Sequence, residues 1–328
     1  MQDDIYEASL SPEIKELLSQ NSPSGNFHKK SRNLMERLKT APFDLDRVWK
    51  LMEGSIDIHI HGGPEAYSTR LYDELDIAVR ACEAGMQAVV FKCHSCPSTR
   101  TASLVQKVVN QWADEHKKKS LDVFGGVVLN YDVGGLNPAA VAANLAMGGK
   151  VVWLPTRDAS HQKKASGDMV GIDVLDSAGN VTPQLREIFS LIAESDAVLS
   201  LTHQGTRERL TLIDEAKRAG INRIEVGHPL QAKTRMTIEQ MKLAADKGAY
   251  LGMYCLNFES IHWSWDLFMQ AVKEIGSERI IAATDSGNYQ FSSPVDSLRV
   301  FITAMLDRGI PDKDVETMVK INPRNLLY

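Results

Sequence analysis

Short apolar runs alternate with longer amphipathic stretches from Gly54 to the end of the chain. The first run, residues 55–61, alternates Ile with Asp or His, and this period of two predicts a β-strand. Seven later runs, rich in Val, Ile, Leu and Ala, cover residues 88–91, 123–129, 150–154, 197–202, 223–226, 250–253 and 279–284. A segment with helical spacing follows each run. The pattern therefore predicts eight units, each a strand followed by a helix.

Eight such units between residues 54 and 328 match the size of a (β/α)8 TIM barrel, which is typically ~250 residues long. A doubly wound open sheet is the alternative α/β fold. It is disfavoured because no Gly-x-Gly-x-x-Gly turn follows the first strand. We predict an α/β TIM barrel over residues 54–328.

Residues 1–53 precede the repeated units and are predicted to form an N-terminal helical extension. Ser11 and Pro12 have the order of an N-cap followed by a first-turn proline, and a Pro- and Gly-containing segment at 21–26 interrupts the pattern. The extension would serve as a lid, as an arm for oligomerisation or as a helical wrap around the barrel. We expect the wrap.

The composition is that of a globular protein, with 43% hydrophobic and 24% charged residues and a net charge of -5. This acidic balance offers no basic surface for nucleic acid. No stretch supplies the ~20 apolar residues that span a bilayer, and the first residues lack the order of a signal peptide. We expect a cytoplasmic homo-oligomer with a small-molecule substrate and with neither nucleic-acid nor membrane partners.

Four cysteines in a chain of 328 residues do not indicate a disulfide framework. Cys93 and Cys96 form a Cys-x-x-Cys, a spacing found in redox sites and in halves of zinc sites. No second Cys pair completes a structural zinc site, and no thioredoxin-like pattern surrounds this one. We expect reduced thiols.

Histidines are concentrated where the predicted strands end, and in a TIM barrel these carboxyl ends carry the chemistry. Five of the nine histidines and one aspartate lie at or just beyond such ends: His59 and His61 on strand one, His94 after strand two, His203 on strand five, His228 on strand six and Asp285 on strand eight. Chance placement does not explain this distribution.

Imidazole nitrogens and carboxylate oxygens are ligands for Zn²⁺ and similar divalent ions. His59 and His61 share a strand face because side chains alternate along a strand. We predict that His59, His61, His203 and Asp285 bind a divalent metal ion, with Zn²⁺ expected and Mn or Fe as alternatives. A metal lowers the pKa of its bound water to ~7, and Asp285 would accept the proton of the attacking water. His228 would bind a second ion or act as an acid or base.

This ordered set resembles the amidohydrolase superfamily, with His-x-His on strand one, histidines on strands five and six, and Asp on strand eight. The segment Asn322-Pro-Arg-Asn-Leu-Leu327 is similar to the Asn-Pro-x-x-Leu-Leu that often closes such barrels. The resemblance covers residues 54–328. It implies metal-dependent chemistry on C–N, C–O or P–O bonds or, in some branches, decarboxylation.

The fourth strand departs from the superfamily's binuclear members, which usually place a carboxylated Lys or a Glu at its end to bridge two metals. Here the sequence is Trp153-Leu-Pro-Thr-Arg-Asp158, without either residue at that place. Lys92 would be the bridge only if the strand count were wrong, and Asp158 with His161 is an alternative second site. One metal ion is therefore expected, with a second left open.

Cationic and aromatic side chains near the strand ends are candidate substrate contacts. They are Lys92, His94 and Arg100 after strand two, Arg157 after strand four and Tyr254 after strand seven. Cationic groups would suit a carboxylate or another anion. Further along, Asn257, His262, Trp263 and Trp265 are a candidate pocket wall, with core packing as the alternative for the tryptophans.

Each proposed ligand also has an ordinary structural explanation. His203 would hydrogen-bond a loop, His228 would cap a turn and Asp285 would be an N-cap. Convergence of all these residue types on one place is what a metal centre requires. We expect a metal-dependent hydrolase of an amide, cyclic amide or lactone bond in a small anionic substrate. A metal-dependent decarboxylase on the same barrel is the alternative, and a non-catalytic binding protein is the third hypothesis.

Overall fold

A computed structural model describes residues 44–255, 265–289 and 292–328. Residues 1–43 of the expected N-terminal extension, and the candidate wall residues Asn257, His262 and Trp263, lie outside the described residues. The part of the extension that is described forms helix α1 (Leu45–Met52), which begins at the N-cap Asp44.

The described strands are β1 (Ile56–Ile60), β2 (Ala88–Phe91), β3 (Asp122–Phe124), β4 (Gly126–Val128), β5 (Val151–Trp153), β6 (Val198–Leu201), β7 (Ile224–Gly227), β8 (Tyr250–Tyr254) and β9 (Ile280–Ala283). The described helices after α1 are α2 (Glu74–Glu83), α3 (Thr99–Glu115), α4 (Pro138–Ala146), α5 (Ser160–Ala165), α6 (Pro183–Glu194), α7 (Thr206–Arg218), α8 (Ile238–Asp246), α9 (Trp265–Ile275), α10 (Pro294–Asp307), α11 (Asp312–Glu316) and α12 (Asn322–Leu327). Each of the eight runs predicted as a strand overlaps at least one of these strands. None of the described helices combines the length and the apolar character needed to cross a membrane.

All paired strands are parallel, in the orders β1-β2-β3 and β4-β5-β6-β7-β8-β9. β3 and β4 are the two halves of the predicted third strand, interrupted at Gly125. The first half pairs with β2 and the second with β5. A Cβ on Gly126 would lie 2.0 Å from the carbonyl oxygen of Val151, so the close approach of β4 to β5 requires glycine.

Main-chain hydrogen bonds join the carboxyl ends of the first and last strands. The N–H of Asp285 donates to the carbonyl oxygen of His59 at 2.8 Å, and the N–H of His61 donates to that of Ser286 at 2.9 Å. Deeper in the ring, the Thr284 hydroxyl donates to Asp57 Oδ2 at 2.6 Å. These contacts bring β9 back to β1, and the predicted TIM barrel is confirmed.

The core has two apolar layers, as expected when a ring of strands is covered by helices. Inside the ring, side chains from one face of the strands pack against one another, and no residue of helices α1–α10 belongs to this cluster. Its members include Val90, Val128, Val151, Trp153, Val198, Ile281 and Ala283. The larger cluster joins the other strand face to apolar residues of those helices. Beyond these two apolar layers, polar residues occupy the carboxyl ends of the strands.

Two connections are less regular than a strand followed by a single helix. Between β5 and α6 the chain forms the short helix α5 and an isolated antiparallel bridge between Leu175 and Val181. After α10, helix α11 continues into a π-helical turn, Thr317–Ile321.

Candidate metal centre

His59, His61 and Asp285 converge at the carboxyl end of the strand ring. One ligand atom from each residue lies within 4.8 Å of the others. His61 Nε2 is 3.0 Å from Asp285 Oδ1, and His59 Nε2 is 3.3 Å from the same oxygen. The convergence follows from the hydrogen bonds that hold the end of β9 against β1.

The backbone at this centre adopts conformations that are rare for residues with a side chain. Asp285 has φ 53° and His228 has φ 56°, both in the left-handed region. Gly287 has φ 130°, and a Cβ there would lie 1.8 Å from the carbonyl oxygen of His61. The segment after β9 therefore reaches the histidines only because glycine permits this close approach.

Burial fixes the protonation state of the cluster. It lowers the pKa of His59 well below its usual value, lowers that of His61, and lowers that of His228 to about 3. Burial opposes ionisation of Asp285, but its contacts with His59, His228 and His61 outweigh that effect and hold its pKa well below the usual range. A carboxylate and neutral imidazoles are the forms in which these residues bind metal ions.

The donor set fits a divalent metal ion, because two imidazole nitrogens and a carboxylate oxygen are directed at one place. Within the described residues, the buried Nδ1 atoms of His59 and His61 have no hydrogen-bond partner. His61 Nδ1 is 3.9 Å from Glu65 Oε2, so a small movement would form the carboxylate–histidine contact that orients metal ligands.

His228 and His203 lie beside the three-residue cluster in that order. His228 Nε2 is 3.6 Å from Asp285 Oδ2. The ring of His203 is 5.1 Å from that of His228, and its Nδ1 is 3.3 Å from Gln162 Oε1. His203 is thus one ring away from the cluster, and its role as a fourth ligand stays a prediction.

Two of the candidate substrate residues lie against the cluster. The buried Lys92 places Nζ 3.1 Å from His59 Nε2, and burial lowers its pKa to about 8. The ring of His94 stacks on that of His61 with centroids 5.0 Å apart, and its Nδ1 is 3.1 Å from Thr156 Oγ1. The loop after β2 therefore forms one side of the centre.

The two candidate arginines have different surroundings. Arg100 is exposed in the first turn of α3. Arg157 pairs with Asp132 at 2.9 Å, and its guanidinium lies over the ring of Tyr67. Substrate contacts of these arginines stay a prediction.

Tyr254 lies within the ring of strands, next to the histidines. Its hydroxyl donates a hydrogen bond to Glu225, which also accepts one from the Ser200 hydroxyl. The Tyr254 ring lies 4.5 Å from that of His59 and 4.7 Å from that of His228. Sequence reasoning did not select Glu225. The available signal was a carboxylate between the apolar residues of a buried strand.

The alternative second metal site is not assembled in the described part of the chain. His161 Nε2 is 2.7 Å from the carbonyl oxygen of Lys233, and Asp158 accepts a hydrogen bond from the N–H of Tyr131 at 2.9 Å. Trp265, proposed as pocket wall or core, packs against aromatic rings of α9 and α10. Core packing therefore accounts for Trp265.

Comparison with known proteins gives a family and a shared fold. The model of a family of unknown function, DUF6282, matches residues 54–252. No curated protein matches the sequence.

Three solved structures illustrate the shared fold. A protein described as the probable dipeptidase PvdM from Pseudomonas aeruginosa has 12% identity and a TM-score of 0.58, over 86% of this chain and 97% of that chain. An amidohydrolase from Pseudomonas aeruginosa has 13% identity and a TM-score of 0.51, over 85% and 98%. A 2-pyrone-4,6-dicarboxylic acid hydrolase from Acinetobacter baumannii, also described as probable, has 12% identity and a TM-score of 0.53, over 84% and 99%. The amidohydrolase-type barrel expected from the sequence is confirmed as a fold.

Proposed function

The chain belongs to DUF6282, a family of unknown function, and we propose that it is a metal-dependent hydrolase of an amide, cyclic amide or lactone bond in a small anionic molecule. One observation carries this proposal. His59, His61 and Asp285 direct ligand atoms to one place at the carboxyl end of a TIM barrel, where enzymes of this fold react.

The proposed cofactor is a single Zn²⁺, held by His59, His61 and Asp285, with His203 as the further candidate ligand. Mn and Fe are the alternatives that the same donor types accept. When bound, such an ion polarises a carbonyl group and lowers the pKa of a coordinated water toward ~7. The neutral imidazoles and the ionised Asp285 need to lose no proton before they bind it.

The two oxygens of Asp285 have different neighbours. Oδ1 faces His59 and His61, whereas Oδ2 is 3.6 Å from His228 Nε2. In the proposed reaction, Asp285 takes the proton of the attacking water at Oδ2 and returns it to the leaving group. His228 positions that oxygen and the substrate carbonyl.

Lys92 is the proposed contact for an anionic group of the substrate. Its pKa of about 8 keeps most of the side chain protonated at pH 7, and it lies beside His59. Burial removes an ammonium group from water, so an anionic partner stabilises its charged form. Two structures of the same fold are described as a probable dipeptidase and as a probable 2-pyrone-4,6-dicarboxylic acid hydrolase. Dipeptides and carboxylated lactones are therefore the first substrates to test.

We also propose a cytoplasmic homo-oligomer without nucleic-acid or membrane partners. The net charge of -5 supports the absence of a nucleic-acid partner, and the four free cysteines support a reducing compartment.

The test is a substrate screen with the full chain loaded with Zn²⁺, Mn²⁺ or Fe²⁺. Dipeptides, cyclic amides and lactones, each with and without a carboxylate, are analysed for the addition of one water and for release of CO₂. We expect water addition that a chelator abolishes, that Asp285→Asn loses and that Asp46→Asn, an exposed substitution on α1, keeps. Turnover that survives in Asp285→Asn contradicts the proposal, and CO₂ release without water addition favours the decarboxylase alternative.

A further inference from the structure

Cys93 and Cys96 are paired in the loop between β2 and α3. Their Sγ atoms are 3.3 Å apart, and Ser95 Oγ is 3.4 Å from Cys93 Sγ. A disulfide bond needs ~2.05 Å between the sulfurs, so a small loop movement closes it. Cys93 is buried whereas Cys96 is exposed, which gives small molecules in solvent access to one sulfur.

The other two cysteines are placed differently. Cys82 is buried and donates to the carbonyl oxygen of Lys119 at 3.2 Å, and Cys255 is buried. Structural cysteines of this kind are inert. Reactivity toward a small oxidant is therefore expected at the 93/96 pair.

A metal does not explain the pair. A zinc site needs further nitrogen, sulfur or carboxylate donors around the two thiols. Among the described residues, the group of three or more such donors within 4.8 Å of one another is His59, His61 and Asp285, which includes neither cysteine. Of the two functional alternatives for a Cys-x-x-Cys, the structure favours redox chemistry.

The surroundings permit a thiolate at neutral pH. A hydrogen bond from Cys96 lowers the pKa of Cys93 to about 6. Burial, together with the nearby Cys93, raises the pKa of Glu74 to about 8, so this carboxyl is neutral at pH 7. Glu74 is itself buried, and its Oε2 has no hydrogen-bond partner among the described residues. The neutral Glu74 side chain therefore does not repel a negative charge on the sulfur pair.

We propose that Cys93 and Cys96 are a redox-active dithiol that exchanges with low-molecular-weight disulfides. The hydrogen bond to Cys93, together with burial, raises the pKa of the Cys96 thiol, so the thiolate of the pair lies mainly on Cys93. Proton transfer across the 3.3 Å contact gives the minor form with the thiolate on the exposed Cys96, which is the sulfur that a small disulfide can reach. That thiolate attacks one sulfur of the small disulfide, whose S–S bond breaks and releases one thiolate. Cys93 then attacks Cys96 Sγ and displaces the second. The two protons lost by the cysteines are taken up by the two released thiolates, so one small disulfide is reduced as one protein disulfide forms.

The position of the pair gives this exchange a consequence. His94 lies between the two cysteines and stacks on His61, and Lys92 precedes them beside His59. The protein disulfide would form within the loop that holds both residues at the metal centre.

The test uses the reduced full chain and oxidised glutathione as the probe. After incubation at pH 7.5, the reaction is stopped with acid, free thiols are alkylated, and intact mass and peptide maps are recorded. We expect two of the four thiols to escape alkylation, the protein mass without the alkyl groups to fall by two hydrogens, and the peptide containing residues 93–96 to carry an internal disulfide. Cys93→Ser lacks the second nucleophile, so it should instead retain one glutathione at Cys96.

The matched control is Cys255→Ala, which leaves the pair intact and should still lose two thiols. The proposal is overturned if both cysteines of the pair remain alkylatable under conditions that fully oxidise a dithiol peptide standard. It is equally overturned if the bond forms between two chains, or if Cys93→Ser retains no glutathione while its circular dichroism matches that of the unaltered chain. Neither metal nor substrate enters the measurement, so its outcome is independent of the hydrolase proposal.

Discussion

The main-chain N–H of Asp285 donates to the carbonyl oxygen of His59 at 2.8 Å, and the two side chains meet at Nε2 and Oδ1, 3.3 Å apart. Backbone atoms thus fasten the last strand to the first at the place where the side chains form the candidate metal site. The main-chain bond survives substitution of the Asp285 side chain. A substitution there can therefore change the chemistry of the site while the strands stay joined.

Asp285→Asn is expected to abolish tight metal binding without unfolding the protein. Asparagine keeps the main-chain bond and tolerates the left-handed conformation, but it removes the anionic ligand. We expect metal affinity to fall by at least ~100-fold, as loss of a supporting residue alone costs 10–100-fold. Metal content after gel filtration and far-UV circular dichroism check the prediction. The exposed-site variant Asp46→Asn should retain metal, and full metal content in Asp285→Asn would contradict the assigned ligand.

Gly287→Ala is expected to damage both stability and metal binding. A Cβ at this position would lie 1.8 Å from the carbonyl oxygen of His61, at a φ of 130°. Either the segment after β9 or the end of β1 must move, which separates Asp285 from the histidines. We expect a loss of about 3 kcal/mol in the free energy of unfolding.

The matched control for this glycine is Gly148→Ala. Its φ of 89° also disfavours alanine, but nothing lies within 4 Å of the added Cβ. We expect a cost of only ~1 kcal/mol there, with metal content unchanged. Equal costs in urea denaturation of the two variants would show that crowding at His61 is unimportant.

The strands and the site histidines were predictable because their signals are local. A short apolar run bounded by polar residues is sufficient to identify a buried parallel strand, and each strand ends within a few residues of its run. Barrel topology then brings the strand ends together, so His59, His61 and Asp285 could be grouped without a structure. Asp57 gave a usable signal that was not used, since it alternates with the same histidines and binds Thr284 across the closure.

The remaining features depend on contacts between distant residues. Asp and His adopt the left-handed conformation more often than most residue types, but still rarely, so residue type alone does not predict this backbone at His228 and Asp285. The ion pair that engages Arg157 involves Asp132, which precedes it by 25 residues. The interruption at Gly125 depends on how closely the neighbouring segments approach. Sequence patterns thus identify the side chains that lie at the candidate metal centre, but they do not identify the residues with which those side chains pair.

Tyr254→Phe tests the buried network beneath the histidines. The substitution keeps the ring against His59 and His228 but removes one of the two hydroxyl donors to Glu225. A buried polar group that loses a partner costs ~1–3 kcal/mol, so we expect a loss of that size in the free energy of unfolding. Glu225→Gln in the Tyr254→Phe background should cost less than in the unaltered chain. Additive costs in this double-mutant cycle would show that the two side chains are not coupled.

The buried Glu74 should make stability fall as the pH rises. Burial, with contributions from Cys93 and Asp73, raises its folded-state pKa to about 8, above the value of 4.5 for a free glutamate. Between these two pH values the folded chain keeps a proton that the unfolded chain has lost. The contribution of Glu74 to stability is therefore fully present below pH 4.5 and is lost as the pH rises through about 8.

Glu74→Gln removes this titration. The free energy of unfolding of the variant, relative to that of the unaltered chain, should therefore rise by on the order of 3 kcal/mol between pH 5 and pH 9. Urea denaturation at pH 5, 7 and 9 measures this difference. The control is Glu83→Gln, an exposed substitution on the same helix, which should change stability equally at all three pH values. A pH-independent difference for Glu74→Gln would show that the Glu74 carboxyl is ionised in the folded protein.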